Sequence, residues 1–303
     1  MGTPDFSVPC LLSLIKNYNV KAVVTQPDKK VGRQQELSQS PIKKIALTHK
    51  IAVLQPDKVK GNAEFMEQIK SLQPDLIVVV AYGFILPQEL LEIPKLGAIN
   101  VHASLLPKYR GASPIQTAIL NNEQETGVTI MLINEKMDEG DILAQVKIKI
   151  DTTETFTTLH DKFALLGANL LLEILPQYLG GQIKPQPQDD SQATYCQLIT
   201  KEMGKINWRK SAQEIDRQIR AFTPWPGAFT FWNGKQLKIS AVMVSTVEPS
   251  AEIGKVFKFN DGIGIKCGKG VLEIIELQLE SKKTMNFKEF LNGNPQIIGS
   301  LLS

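Results

Sequence analysis

The sequence is short of the residues that build cross-links, membrane spans and metal cages. Only three cysteines (Cys10, Cys196 and Cys267) occur in 303 residues. They lie far apart and in no ligand spacing, which excludes a disulfide framework and a cysteine metal centre. Histidines also number three, and aromatic residues make up 7% of the chain. The longest unbroken aliphatic run, Leu76 to Ala81, falls far short of the ~20 residues a membrane helix needs. The opening Met-Gly-Thr-Pro-Asp-Phe is polar and lacks the apolar core of a secretory leader. Phe6 stands where a myristoylation signal carries Ser or Thr. Neither a GxGxxG nor a Walker A glycine pattern is present. Together these absences predict a soluble, cytoplasmic protein whose chemistry needs neither ATP nor a metal.

What is present has globular proportions: 43% hydrophobic and 21% charged residues, enough at this length for two domains. The net charge of +3 is unevenly spread. From Tyr195 to Ser303 there are 15 basic and 10 acidic side chains, an excess of +5, whereas the rest of the chain carries −2. A basic C-terminal part suits a polyanionic partner, although a solvated basic surface would look the same.

The first 150 or so residues alternate β-branched runs with helical stretches. Val20 to Thr25, Leu76 to Val80, Gly97 to His102 and Val128 to Ile133 read as strands. The second is apolar without a break, the mark of a strand covered on both faces. Val8 to Lys16, Ala63 to Leu72 and Ser113 to Leu120 have helical spacing. This order predicts an α/β fold with a doubly wound, mostly parallel sheet, whose ligands lie outside the carboxyl ends of the strands. Thr155 to Leu179 reads as one long helix ending at Pro176 or Gly180-Gly181. The polar, proline-bearing stretch that follows predicts a linker at 182–200 between a domain at 1–181 and a second at 201–303. In the second, short strands separated by Asn233-Gly234, Asn260-Asp261-Gly262 and Lys269-Gly270 predict a small OB-like β-barrel.

Asn100 and His102 are two residues apart on a predicted strand and therefore share a face. An amide and an imidazole at a strand end supply two polarisable donors of the kind carbonyl chemistry uses, though a lone strand-end histidine is often structural. A carboxylate from Met137-Asp138-Glu139-Gly140-Asp141, Asp138 or Asp141, could complete the set and hold the imidazole, or the segment could be an ordinary acidic turn. Gly2-Thr3-Pro4, before the first helix, is a weak anion-site signal, with helix capping as the plain alternative. Lys108 and Arg110 could hold a phosphate or simply face solvent.

Asn100-Val-His102, then Ser104-Leu-Leu-Pro107 and Arg110-Gly111, with an Asp-x-Gly-Asp loop at 138–141, resembles the active-site pattern of the folate-dependent formyltransferases. Further segments, from Gly-Thr-Pro-Asp-Phe at 2–6 and Thr-Gln-Pro-Asp at 25–28 to Arg-Ala-Phe-Thr-Pro-Trp-Pro at 220–226, resemble the branch that formylates initiator methionyl-tRNA. The resemblance runs almost from end to end. It implies 10-formyltetrahydrofolate as co-substrate and Asn100, His102 and Asp138 as the catalytic trio. It also implies tetrahydrofolate contacts from Ser104, Leu105, Leu106 and Pro107 and from Phe84, Ile85 and Leu86. Initiator tRNA would meet Gly2, Thr3, Lys29, Lys30 and Arg33, with the acceptor stem held by the basic C-terminal domain. Nothing in the sequence demands more than a monomer. Within the same superfamily, the amine of glycinamide ribonucleotide or of an amino-sugar nucleotide is the alternative acceptor, and a non-catalytic RNA-binding protein is the alternative class.

Two departures from the pattern carry expectations. Gln34, Gln35 and Glu36 stand where basic residues usually follow the arginine matched by Arg33, which weakens the loop's attraction for phosphate. The family's apolar strand before Gly-Thr-Pro is absent, and loss of a central strand predicts low stability.

Overall fold

The computed structural model describes residues 1–31 and 35–303. Two compact units emerge, one of Met1–Pro114, Glu125–Lys149 and His160–Cys196, the other of Ile115–Gln124, Ile150–Leu159 and Gln197–Ser303. In chain order the elements begin α1 (Val8–Asn17), β1 (Ala22–Val24), β2 (Lys29–Val31), β3 (Glu36–Ser38), α2 (Pro41–Thr48) and β4 (Ala52–Leu54). There follow α3 (Ala63–Leu72), β5 (Ile77–Val79), α4 (Gln88–Leu91), β6 (Ala98–His102), β7 (Arg110–Gly111) and α5 (Pro114–Leu120). The series continues through β8 (Glu125–Leu132), β9 (Ile142–Lys149), α6 (Phe156–Leu179) and β10 (Tyr195–Cys196).

The first unit is built on mixed sheets. β1 pairs with β4 in parallel, and a four-stranded sheet runs β5-β6-β8-β9. In that sheet β5 and β6 are parallel, whereas β8 is antiparallel to both of its neighbours. Burial explains why the strands read as apolar runs: Ile77, Val79, Ala98 and Ile99 are all covered, against a core that includes Phe65, Met66, Ile69 and Leu90. The helices start where their caps predict. Ser40 accepts the Lys43 N–H at the head of α2, with Pro41 at its first position, and Asn62 accepts the Phe65 N–H at the head of α3. α6 carries Pro176 and ends at Leu179, before Gly180 and Gly181, as the glycine pair predicts.

Where the resemblance expects a strand ahead of Gly-Thr-Pro, Met1 and Gly2 lie between the two sheets. The Met1 amine donates to the Val78 carbonyl at 2.6 Å, the Gly2 N–H to Val24 at 3.0 Å, and the Val80 N–H to Met1 at 2.9 Å. A largely apolar cavity of about 400 Å³ opens alongside them, lined by residues of β1, β5 and α6, among them Val23, Ile77, Val78 and Leu175.

The stretch read as a linker is bonded into the first unit as far as Cys196. Gln186, with Pro185 and Pro187 either side, both donates to and accepts from Ile142, and β10 pairs in parallel with β7.

The second unit holds α7 (Ala212–Phe222), β11 (Ala228–Trp232), β12 (Lys235–Ser245), β13 (Val256–Phe259), β14 (Gly262–Lys266), β15 (Val271–Leu279), β16 (Met285–Asn286) and α8 (Phe287–Gly293). Its antiparallel sheet runs β11-β12-β15-β14-β13, with β16 on β15. Asn233 and Gly234, both left-handed, form the β11–β12 hairpin turn. The sheet's end strands β11 and β13 are bridged by the last residues of the chain: Val256 donates to Ser300, Leu301 bridges Lys255, and Phe231 donates to Ser303. Trp208, Ile215, Ile219, Trp232 and Phe290 fill the core beneath. Among the described residues of the chain, no helix is long and apolar enough to cross a membrane.

Candidate active site

β6 presents Asn100 and His102 on one side of its pleat, as alternate residues of a strand must be. His102 is 6% exposed. Its Nε2 lies 3.0 Å from the Tyr109 carbonyl oxygen. A carbonyl only accepts, so Nε2 carries the hydrogen and Nδ1 is the nitrogen left for chemistry. That Nδ1 stands 3.6 Å from Asp138 Oδ1, and the Asn100 amide nitrogen stands 3.5 Å from the same oxygen. Both separations exceed a tight hydrogen bond, so neither nitrogen is committed to the carboxylate.

The route by which Asp138 arrives differs from the sequence reading. A mostly parallel sheet would put the acidic loop, which follows the strand at 128–133, at the carboxyl edge shared with His102. Because β8 runs antiparallel to β6, with Leu132 opposite Ile99 and Thr129 opposite His102, its carboxyl end lies at the other edge. The loop at 133–141 folds back instead, closed at its base by the Leu132 N–H donating to Asp141. Asp138, at a left-handed φ of 55°, is the residue delivered to Asn100 and His102. Its second oxygen accepts the Gly111 N–H at 2.9 Å. Gly111 has φ of 113° and lies against the Cys196 backbone, where an added Cβ would sit 2.5 Å from the carbonyl oxygen. Only glycine brings its N–H to this place without strain.

The two segments expected to hold the pterin divide into buried and accessible parts. Ser104 and Leu106 are buried, and the Ser104 hydroxyl donates to the Lys108 carbonyl at 2.6 Å. The Leu106 N–H and the Ser104 carbonyl both bond the buried Thr129 hydroxyl. Leu105 and Pro107 are half-exposed. In the other segment Leu86 is buried and Phe84 packs edge-on against Tyr82, while Ile85 is 77% exposed. Gln145, which the sequence did not single out, bonds both the Leu106 carbonyl and Thr129. Arg110 neither faces solvent nor stands ready for a phosphate. It is 1% exposed and ion-paired with Asp190 at 2.7 Å. Among the described residues, no cluster of His, Cys, Asp and Glu could hold a metal.

The formyl transferase family matches residues 2–175, and the formyl transferase C-terminal domain matches residues 198–295. A methionyl-tRNA formyltransferase from Caldanaerobacter subterraneus is 48% identical over 100% of this chain and 98% of its own length. The chain belongs to the methionyl-tRNA formyltransferases.

More distant solved structures share the fold. The N-formyltransferase from Helicobacter canadensis, solved with folinic acid and dTDP-3-aminofucose, superposes with a TM-score of 0.66 at 23% identity, covering 90% of this chain and 97% of that one. HypX from Aquifex aeolicus, solved with tetrahydrofolic acid, gives 0.61 at 18% identity over 83% of this chain, which spans under half of HypX (44%).

For a methionyl-tRNA formyltransferase, the residues expected at tRNA fall into three groups here. Gly2 and Thr3 are committed to the fold: the Thr3 hydroxyl donates to the Tyr82 carbonyl, and a Cβ on Gly2 would meet Ser7 and Val80. Lys29 and Lys30 are exposed on β2, which pairs with β3 in a hairpin. Arg33 lies outside the described residues, as does Gln34. The base of the hairpin is anchored by Asp28, which accepts from Lys43 at 2.7 Å and from Gln55 at 2.8 Å. The Lys43 hydrogen bond, then that of Gln55, holds the Asp28 carboxyl below its ordinary range.

Proposed function

We propose that Asn100, His102 and Asp138 carry out the transfer of the formyl group of 10-formyltetrahydrofolate to the α-amine of initiator methionyl-tRNA. One observation carries the assignment: the Asn100 amide nitrogen and the His102 Nδ1 both lie within 3.6 Å of one carboxylate oxygen, Asp138 Oδ1. In the reaction a new bond forms between the amine nitrogen and the formyl carbon, and the bond from that carbon to N10 breaks. The attacking amine gives up one proton, and N10 receives one.

Each side chain has a part in that balance. The Asn100 amide and the Nδ1–H of protonated His102 donate to the oxyanion of the tetrahedral intermediate. Their loose contacts with Asp138 leave both free to turn to that oxygen. The Tyr109 carbonyl holds the other ring nitrogen, so the imidazole presents Nδ1 whatever its charge. Asp138 stabilises the imidazolium and accepts the amine's proton, directly or through water, for relay to N10. Leu105, Pro107, Phe84 and Ile85 offer the accessible apolar surface for the pterin, and Lys29, Lys30 and Arg33 the basic surface for the acceptor end. The protein works as a cytoplasmic monomer in this reading.

The test is substitution within the trio. His102→Ala and Asp138→Asn should each lower turnover by ~10² or more, while leaving initiator-tRNA affinity near wild type. Wild-type turnover in either variant would remove the mechanism. Amino-sugar nucleotides and glycinamide ribonucleotide, assayed alongside charged tRNA, should accept no formyl group.

A further inference from the structure

Asp138 is held from two sides, and only one of them touches its carboxylate. The second runs through Gln188, in the stretch whose sequence reads as a linker. The Gln188 side-chain nitrogen donates to the carbonyls of Asp138 and Gly140, both at 2.8 Å. Its side-chain oxygen accepts from Arg110 Nε at 3.0 Å and from Nη2 at 2.9 Å. A glutamine amide has two hydrogens and two lone pairs, and all four positions are used here. A flipped amide would set N–H against N–H at Arg110 and oxygen against oxygen at the loop, so the orientation is fixed.

Arg110 anchors the arrangement. Besides Gln188 it reaches Asp190 at 2.7 Å, the Tyr195 hydroxyl at 3.3 Å and Glu139 at 3.5 Å. Bonding the planar guanidinium on several edges makes it a rigid support. Its neighbour Gly111 supplies the N–H that holds the Asp138 carboxylate. A closed circuit results: Asp138 carboxylate, Gly111, Arg110, Gln188, Asp138 carbonyl. Asp138, the residue at its head, has a left-handed backbone with φ of 55°.

We propose that Gln188 is a positioning residue for the formyl transfer, clamping the backbone of Asp138 onto Arg110 so that the carboxylate meets Asn100 and His102. The inference rests on the reading that Asp138 is the reacting carboxylate. Gln188 bonds the backbone carbonyl of Asp138, not its carboxylate. It acts through the loop, and a displacement of ~1 Å at Asp138 is enough to cost ~10²-fold in rate.

Gln188→Glu is the informative variant, because its shape is kept and it still accepts from Arg110, yet it has no N–H for the two carbonyls. With full-length protein and charged initiator tRNA, kcat should fall about 10- to 100-fold while KM for the formyl donor shifts less than about 3-fold. In an Asp138→Asn background the same change should remove almost nothing further, because the group it positions is already gone. Gln188→Ala, run in parallel, removes the donor without adding charge beside Glu139 and Asp190 and should give the same pattern if Gln188→Glu does not fold. Wild-type kcat in a folded Gln188 variant, or an equal loss in both backgrounds, overturns the proposal. Wild-type turnover in Asp138→Asn alone would instead overturn the reading of the site on which it rests.

Discussion

At the scale of single residues, the site depends on positions whose backbone is the constraint. Gly111 is the sharpest case. Gly111→Ala would place a methyl group 2.5 Å from the Cys196 carbonyl oxygen on a φ of 113°, so either the β7–β10 pairing or the N–H offered to Asp138 must move. The expected result is about 1–3 kcal/mol of lost stability, read from the urea midpoint, together with lower turnover. Asp28 gives a pH signature. Its carboxyl is held below the ordinary range by Lys43 and Gln55, so its contribution is present above the unfolded pKa of about 3.9 and is lost as pH falls through the folded value. Asp28→Asn should therefore lower the melting temperature near neutrality and change it little at the acid end of the pH range. An equal shift at every pH would refute this role for the ion pair.

Among the elements, the second unit's α7 shows how local chemistry defines a boundary. Ser211 accepts the Glu214 N–H while the Glu214 carboxylate takes the Ser211 N–H, a reciprocal cap at the helix start. Hydrogen bonding to the Ser211 hydroxyl, then to its backbone, holds the Glu214 carboxyl below its ordinary range. Ser211→Ala should cost ~1 kcal/mol, measurable by chemical denaturation, without changing turnover at saturating substrate. Such caps and periodicities are local, which is why α3 runs from Ala63 to Leu72 as its sequence indicates. Strand direction is not local. Val128 to Ile133 reads as a strand in either direction, and its antiparallel placement beside β6 comes from a chain reversal that no run of residues spells out. The proline-bearing stretch after Gly181 reads as slack for a similar reason. Its ordering by Ile142, Arg110 and the Asp138 loop comes from partners 44 to 85 positions away.

Across the whole molecule, charge and chemistry are unevenly shared. The excess of +5 from Tyr195 onward contrasts with the proposed reacting set of one amide, one imidazole and one carboxylate, which lies in the first unit. Affinity for initiator tRNA should therefore fall steeply with salt, as counterion release requires, while KM for the formyl donor stays nearly flat. A logarithmic plot of tRNA affinity against salt with zero slope would contradict a phosphate-binding role for the basic segment.

The sequence by itself determined which elements form and which residue types could do carbonyl chemistry, because helix caps, apolar periodicity and a two-residue strand repeat act over a few positions. It placed Asn100 and His102 on one face, but spacing left Asp138 and Asp141 as equals. The family resemblance pointed to Asp138, but only the tertiary structure shows how it arrives: the reversed strand and the returning loop bring Asp138 Oδ1 within 3.6 Å of both partners. The same holds for Arg110, whose burial among Asp190, Gln188 and Tyr195 turns an apparent surface cation into the support of that loop. Contacts between distant parts of a chain depend on how the whole backbone closes, and no short stretch of sequence carries that information.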